Sequence, residues 1–534
     1  MDKALARQIL LACASGVLYP LCFPDFDLGF LAWVLLVPLH FAIEPASPRQ
    51  AFRIGWLAGL IGFTGTMSWV VTAMHLYGKM PLAASYAVMV VLTTYLGLYV
   101  ALYAAGYTWL KRMAPSVLFL TAPSLWVSLE LLRTYVLSGL PWALLGYSQY
   151  QWLSIIQIAD HTGVYGVSFL IVLVNLALTE LISWVFARLR RDQVGLAWQA
   201  PAAALLAMAI AGIYGHSALQ VDARSLDVRT LSIGLVQANI DQAHKWDVAY
   251  REETLERYRR LTAQVAARSD LIIWPEAATP FLFELEPQYR SEVTAMAQAA
   301  RAPILFGSPA LRYTPDRRPY LLNSAYLLSP AGEIQGRYDK QHLVPFGEYI
   351  PLHSSVLFFL DKLVEGIGDF EAGTTPTILT VRPLAASSPH ADDQKPEVKF
   401  GVVICYEVIF PDLVRQFALN GAEFMATITN DAWFGRSAAP YQHFGMVVFR
   451  SVENRVAFAR AANTGVSGFI DPSGRILSAT PIFTEAVLMG SIPVQRRPTF
   501  YTRYGDAFGY GCVIITGLFL TAARFRRNGH DHRQ

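Results

Sequence analysis

A chain of 534 residues that is 54% hydrophobic and only 16% charged is too apolar for an ordinary water-soluble protein, and long enough for a bilayer region plus one sizeable domain. Its 43 Lys and Arg against 40 Asp and Glu leave a net charge of +3, without the interleaving of basic and aromatic residues that makes a nucleic-acid surface, so no nucleic-acid partner is expected. Four cysteines make a poor disulfide framework here, because three of them fall in long apolar runs.

A helix that crosses a bilayer needs about 20 mostly apolar residues, and seven such runs precede residue 225, at about 4–24, 28–43, 51–74, 82–110, 114–136, 163–187 and 196–219. An eighth lies at about 505–523, and the second is short. The predicted organisation is residues 1–225 as membrane helices one to seven, 226–495 as a second domain, and 496–534 as the last membrane helix with a basic tail. Lys3 and Arg7 precede the first run, but it continues into further spans without a small-residue cleavage site, so it reads as a retained helix.

Basic residues mark one side. Lys3 and Arg7, Arg49 and Arg53, Lys111 and Arg112, then Arg188, Arg190 and Arg191, and finally Arg524, Arg526 and Arg527 all fall on the side of the N-terminus, whereas the opposite loops before residue 225 hold only Lys79. Because Lys and Arg of short loops stay in the cytoplasm, the domain between the seventh and eighth spans is expected outside it.

From Leu231 short β-rich runs alternate with helical ones, the pattern of an α/β domain. Candidate strands are Leu231–Ile240, Leu271–Trp274, Ile304–Gly307, Val398–Cys405 and Phe424–Thr429; Val248–Ala267 and Gln288–Arg301 read as helices; Asn323–Tyr338 and Gly465–Leu477 read as hairpins. Ala386–Glu397 is polar enough for a solvated loop. No P-loop, dinucleotide fingerprint or zinc-ligand spacing is present, so neither a cofactor nor a metal is expected.

Three segments place a reactive side chain at the end of an apolar strand, where α/β domains collect their sites. In Leu271-Ile-Ile-Trp-Pro-Glu276 the proline ends the strand and sets Glu276 on a turn in apolar surroundings, suited to a general base; standing alone, the segment reads more readily as a capping or ion-paired carboxylate. In Tyr338-Asp-Lys340-Gln-His-Leu-Val-Pro-Phe-Gly-Glu348 the lysine precedes an apolar loop and could stabilise an oxyanion, although most lysines are simply solvated. In Phe400-Gly-Val-Val-Ile-Cys405-Tyr-Glu407 the strand delivers Cys405 to a strand-to-helix turn, where a helix N-terminus and a nearby lysine would lower the thiol pKa. Cys13, Cys22 and Cys512 all fall in predicted membrane helices, which leaves Cys405 alone outside them.

In order and in local sequence these segments resemble the Glu-Lys-Cys triad of the nitrilase superfamily, over about residues 226–495. With the membrane helices around it and the run Leu343-Val-Pro-Phe-Gly-Glu348, the whole chain resembles the apolipoprotein N-acyltransferases, membrane members of that superfamily. The resemblance implies a polytopic α-helical membrane domain of about eight helices carrying an extracytoplasmic nitrilase-like α/β domain, an αββα sandwich. It implies Cys405 as nucleophile, Glu276 as general base and acid and Lys340 as stabiliser of the tetrahedral intermediate, with Trp246, Glu348, Tyr406, Glu407 and Asn430 as supporting or substrate-binding residues. It also implies a bacterial inner membrane, a periplasmic catalytic domain, a monomer, a phospholipid acyl donor such as phosphatidylethanolamine, and a diacylated apolipoprotein acceptor acylated by a ping-pong route through a Cys405 thioester.

A membrane-anchored amidohydrolase with the same triad is the alternative, water then resolving the thioester. A transporter or receptor fits less well, because the predicted spans hold few ionisable residues beyond Glu130, Arg133 and Glu180. The apolar runs Phe281–Phe283 and Val356–Leu360 read either as buried core or as a lid dipping into the membrane.

Overall fold

Hydrocarbon offers no water to backbone N–H and C=O groups, so a bilayer region must satisfy them internally, and helices do so. A computed structural model describes residues 3–224, 229–349, 370–383 and 396–531, and the chain divides into two units. The first comprises Met1–Val71, Ala83–Asp222 and Tyr504–Gln534, and the second Thr72–Leu82 and Ala223–Arg503.

The described residues of the first unit form helices joined by turns and short irregular segments, with no strand among them. Lys3–Leu21, Leu82–Met113, Pro115–Ser138, Val164–Leu189 and Gln199–Gln220 are each long and apolar enough to cross a membrane, and a sixth candidate is the pair Pro48–Thr66 and Trp69–Tyr77, bent by 50°. Gly29–Ile43 and Ala507–Ala522 are shorter. All eight apolar runs of the sequence are therefore helical, but only five pass as single straight spans. The second is interrupted, a 3-10 turn over Gly29–Trp33 giving way to a helix only at Val37–Ile43, where Pro38 occupies a first-turn position that needs no N–H partner.

These helices pack through small residues and buried polar links, as helices do where lipid removes the hydrophobic drive between them. A Cβ on Gly59 would lie 2.8 Å from the Cα of Gly97, so only glycine permits that approach. Asn175 donates to the Ala32 carbonyl (2.8 Å) and accepts from the Leu36 N–H (2.7 Å), and His40 bridges Thr179 and Tyr103 at 3.0 and 2.9 Å. On Gln199–Gln220 the side chains of Leu205, Leu206, Ile210 and Ile213 stay exposed, as lipid-facing residues would.

Among its described residues the second unit has twelve strands: β1 (Thr230–Gln237), β2 (Leu271–Ile273), β3 (Ile304–Tyr313), β4 (Pro319–Leu328), β5 (Ile334–Asp339), β6 (Ile378–Val381), β7 (Val398–Ile404), β8 (Phe424–Thr429), β9 (Ala457–Ala462), β10 (Gly468–Ile470), β11 (Ile476–Ala479) and β12 (Ala486–Pro493). They form two six-stranded sheets of order β12-β1-β2-β3-β4-β5 and β11-β10-β9-β8-β7-β6. In each sheet the three central strands are parallel, β1-β2-β3 and β7-β8-β9, and the outer pairings are antiparallel. Parallel strands are covered on both faces and so read as unbroken apolar runs, which is why β2, β7 and β8 were visible in the sequence.

Helices Arg251–Val265 and Pro287–Ala300 cover the first sheet, burying Leu255, Tyr258, Leu261, Val265, Val293, Met296 and Ala297 at helical spacing. Trp274 stacks on Tyr258 with ring centroids 4.6 Å apart and donates to the Thr262 hydroxyl. Helices Pro411–Leu419 and Ala439–Asn454 belong to the second half, the latter buried almost all round. The two sheets are stitched through Gln237, whose Oε1 accepts from Ser467 (2.6 Å) and Thr480 (2.8 Å) while its Nε2 donates to the carbonyls of Pro481 and Thr484. The result is an α/β sandwich.

Phe281 and Phe283 are 3% and 0% exposed within the core of the first sheet, so of the two readings of that run the buried one holds and the lid fails. Val356–Leu360 and almost all of Ala386–Glu397 lie outside the described residues. The segment Thr72–Leu82, which the sequence reading divided between a membrane span and a short loop, counts with the second unit: the Tyr77 ring meets the edge of Trp433 at 5.9 Å.

Candidate active site

Glu276 sits two residues past Trp274, on a turn in which Ala277 has a φ of 46° and against which Gly307 packs so closely that a Cβ there would come within 2.4 Å of the Ala277 nitrogen. Its carboxylate is 7% exposed in the whole residue and fully engaged. Oε1 accepts from the Asn323 side-chain amide at 2.8 Å and faces the Lys340 ammonium at 3.4 Å; Oε2 accepts from the main-chain N–H of Asn430 at 2.9 Å. These three partners come from β4, from the residue after β5, and from the residue after β8.

Lys340 is 1% exposed and lies between two acids, 3.4 Å from Glu276 and 2.8 Å from Glu348. Burial works against its charge, but Glu348 and Glu276 outweigh it and hold the ammonium above the usual lysine range. Glu348 is fixed in turn by Asn323, which donates to its Oε1 at 2.8 Å, and by the N–H of Val344 on its Oε2.

Cys405, the residue after β7, is in the left-handed region (φ 51°) and is 8% exposed. Its carbonyl meets His443 Nε2 at 3.1 Å; His443 Nδ1 faces Asp431 at 3.1 Å, and Asp431 is ion-paired with Arg460 at 2.8 Å. Glu407, two residues on, is wholly buried: Oε2 accepts from the Ile404 N–H (2.7 Å), and Oε1 from the Tyr338 hydroxyl (2.7 Å) and the Gln341 N–H (2.6 Å). One carboxylate thus ties the turn that carries Cys405 to the loop that carries Lys340. Tyr406 packs against Phe410 and His342.

Residues 15–177 match the apolipoprotein N-acyltransferase N-terminal domain, and residues 232–499 the carbon-nitrogen hydrolase family. Curated apolipoprotein N-acyltransferases align end to end: that of Geobacter metallireducens is 42% identical over 100% of this chain and 98% of its own length, and those of Methylococcus capsulatus and Chlorobaculum tepidum are 33% and 32% identical over 99% of this chain and 98% of theirs. The chain belongs to the apolipoprotein N-acyltransferase family. A solved amidase of the nitrilase superfamily from Nesterenkonia is 18% identical, with a TM-score of 0.36 over 53% of this chain and 93% of that one.

Within this acyltransferase, two expectations about Cys405 need correction. The helix that was to lower its thiol pKa, Pro411–Leu419, begins beyond a 3-10 turn over Cys405–Ile409, so its N-terminus is not at the sulfur. The thiol is also pushed up rather than down: burial, then the charges of Glu276 and Asp431, outweigh the opposing pull of Lys340 and a hydrogen bond with Thr429. The resting thiol therefore keeps its proton.

Of the supporting residues singled out in the sequence, Glu348, Glu407 and Asn430 lie in the network just described. Asn430 also uses its side chain, donating to Gln242 at 2.7 Å and accepting from Asn463 at 3.0 Å. Trp246 is 38% exposed, on the loop that follows β1. Sequence reasoning missed Asn323, Lys245, Asp431, His443 and Arg460. An amide in the middle of the apolar strand β4 was the one visible signal among them.

Proposed function

We propose that this protein transfers an acyl chain from a phospholipid, through a thioester on Cys405, to the α-amine of the N-terminal diacylglyceryl-cysteine of an apolipoprotein. Glu276 removes the Cys405 proton as sulfur attacks the sn-1 ester carbonyl, and Lys340 stabilises the negative oxygen that develops. Collapse breaks the ester bond; Glu276 returns the proton to the departing oxygen, releasing a lysophospholipid and leaving the acyl group on sulfur. The neutral acceptor amine then attacks the thioester, loses a proton through Glu276 to the sulfur, and departs as an amide, restoring the thiol. Glu348 and Asn323 hold Lys340 and Glu276 in register, and Glu407 couples the turns of Cys405 and Lys340.

The observation that carries this reading is the buried cluster itself, with Lys340 placed 3.4 Å from Glu276 and 2.8 Å from Glu348, near enough to Cys405 for the charges of Lys340 and Glu276 to act on its thiol. The charge count along the chain supports a catalytic unit on the outer side of the bacterial inner membrane, where lipid donor and lipid-anchored acceptor both reside. The exposure of Trp246, next in the chain to Lys245, supports a substrate-contacting role for it.

The test is intact-mass measurement of the purified protein incubated with phosphatidylethanolamine vesicles alone, and then with a diacylated lipopeptide. A mass increase of one acyl chain, absent in Cys405→Ser and discharged onto the lipopeptide, is the expected result. Release of free fatty acid with no acylated lipopeptide would instead make the protein a hydrolase, and no adduct at all would remove the thioester.

A further inference from the structure

Lys245, on the loop after β1, is 3% exposed, and among the described residues its ammonium has one hydrogen-bond acceptor, the main-chain carbonyl of Glu276 at 3.0 Å. A buried lysine is costly and is retained where its charge meets a need. The need is visible in the charge count around Cys405. Lys340 stands between two acids, Glu276 and Glu348, so that pairing alone leaves one negative charge in excess, beside a thiol that must become an anion. Asp431, the other acid that bears on the thiol, is matched by Arg460 and faces His443, whose other ring nitrogen meets the Cys405 carbonyl. Glu407 is served by neutral donors of Ile404, Tyr338 and Gln341, and Thr429 bonds the thiol without charge. Among the described residues, Lys245 is the remaining cation that bears on Cys405.

We infer that Lys245 is a positioning residue of the acyl-transfer site: it holds the main chain of Glu276 and supplies the second positive charge against which a thiolate and then a tetrahedral oxyanion can form at Cys405. Burial pushes its ammonium down to about 8, while Glu276 and Cys405 pull the other way, so it carries its charge at neutral pH and feels both partners the inference requires. This assignment rests on Cys405 as the nucleophile, and it separates two duties that different substitutions can divide. Lys245→Gln keeps a donor for the Glu276 carbonyl and loses the charge; Lys245→Met loses both.

The experiment uses the full chain in detergent, with a thermal melt for each variant to confirm that it is folded. Two quantities are read: the pH profile of Cys405 alkylation by iodoacetamide, and the rate of acyl-enzyme formation from phosphatidylethanolamine vesicles. Both variants are expected to move the alkylation midpoint up by about one unit and to slow acyl-enzyme formation about tenfold or more, with the loss in kcat rather than KM. A merely structural prop would not move the midpoint. Lys245→Gln behaving as wild type in both measurements would overturn the charge role, and Lys245→Met behaving as wild type would remove Lys245 from the site altogether. If Lys245→Met fails to fold, Lys245→Gln decides alone. A shifted midpoint in variants of a protein whose wild type forms no acyl-enzyme would support the charge role while sinking the proposed reaction.

Discussion

At Cys405 the chain adopts a left-handed backbone (φ 51°) that a non-glycine residue holds only when its surroundings impose it, and Glu407 supplies much of that constraint. Burial pushes the Glu407 carboxyl up to about 7, opposed by the donors of Ile404 and Tyr338 and by Lys340. The folded chain therefore holds this proton more tightly than the unfolded one. The associated stability is complete below the ordinary carboxyl value and is lost as pH rises through about 7. Glu407→Gln cannot titrate. Its Tm should start lower at both pH values, because its amide cannot accept every donor, yet the wild type should lose about 2–4 °C relative to it between about pH 5 and pH 8. Parallel melts of the two proteins check this, and a constant gap would show that Glu407 does not titrate in that window. Asn323 makes a second prediction at this scale. It bridges Glu276 and Glu348, so Asn323→Ala should slow acyl-enzyme formation by about 10–100-fold, and Asn323→Asp should be worse because it sets a third carboxylate between two others. Asn323→Asp matching or exceeding Asn323→Ala would argue that charge in this cluster is unimportant.

At the scale of elements, Glu276 and Cys405 stand past the carboxyl ends of the parallel strands β2 and β7, Lys340 follows the antiparallel strand β5, and the closeness of β3 to the turn after β2 sets where Glu276 stands. A methyl on Gly307 would meet backbone, 2.4 Å from the Ala277 nitrogen and 2.7 Å from the Glu276 Cα, and backbone cannot swing aside as a side chain can. Gly307→Ala is expected to cost about 1–3 kcal/mol of stability and to lower acyl-enzyme formation at least about tenfold by moving Glu276, the proposed base. Gly212→Ala serves as the comparison, since its added methyl would meet nothing within 4 Å. Equal melts and rates for Gly307→Ala and the wild type would show that the turn has slack.

For the whole molecule, the distribution of Lys and Arg predicts which side of the bilayer Cys405 faces. In a variant with Cys13, Cys22 and Cys512 replaced by Ser, a small membrane-impermeant thiol reagent added to intact spheroplasts should label Cys405, slowly because the side chain is largely buried. Labelling that appears only after the membrane is permeabilised would invert the topology.

Periodicity and apolar run length were sufficient to read the two kinds of architecture, because each depends on neighbours along the chain: an apolar run of bilayer length makes a helix, and a short apolar run ending in Pro275 or in Cys405 makes a buried parallel strand with a reactive residue at its tip. The same locality made Glu276, Lys340 and Cys405 candidates. The bend in the third span and the interruption of the second were hidden, since composition averages over a break. The partners of Glu276 were hidden for a deeper reason. Asn323 reaches Glu276 across 47 residues and the Asn430 N–H reaches it across 154, distances closed only when β3 pairs with β4 and the second sheet packs on the first. Whether Lys245 is solvated or buried likewise depends on how the loop after β1 closes over the Glu276 turn. Chemical identity was therefore legible residue by residue, whereas burial, which sets the direction of the Cys405 and Lys245 pKa shifts, is a property of the packed sandwich alone.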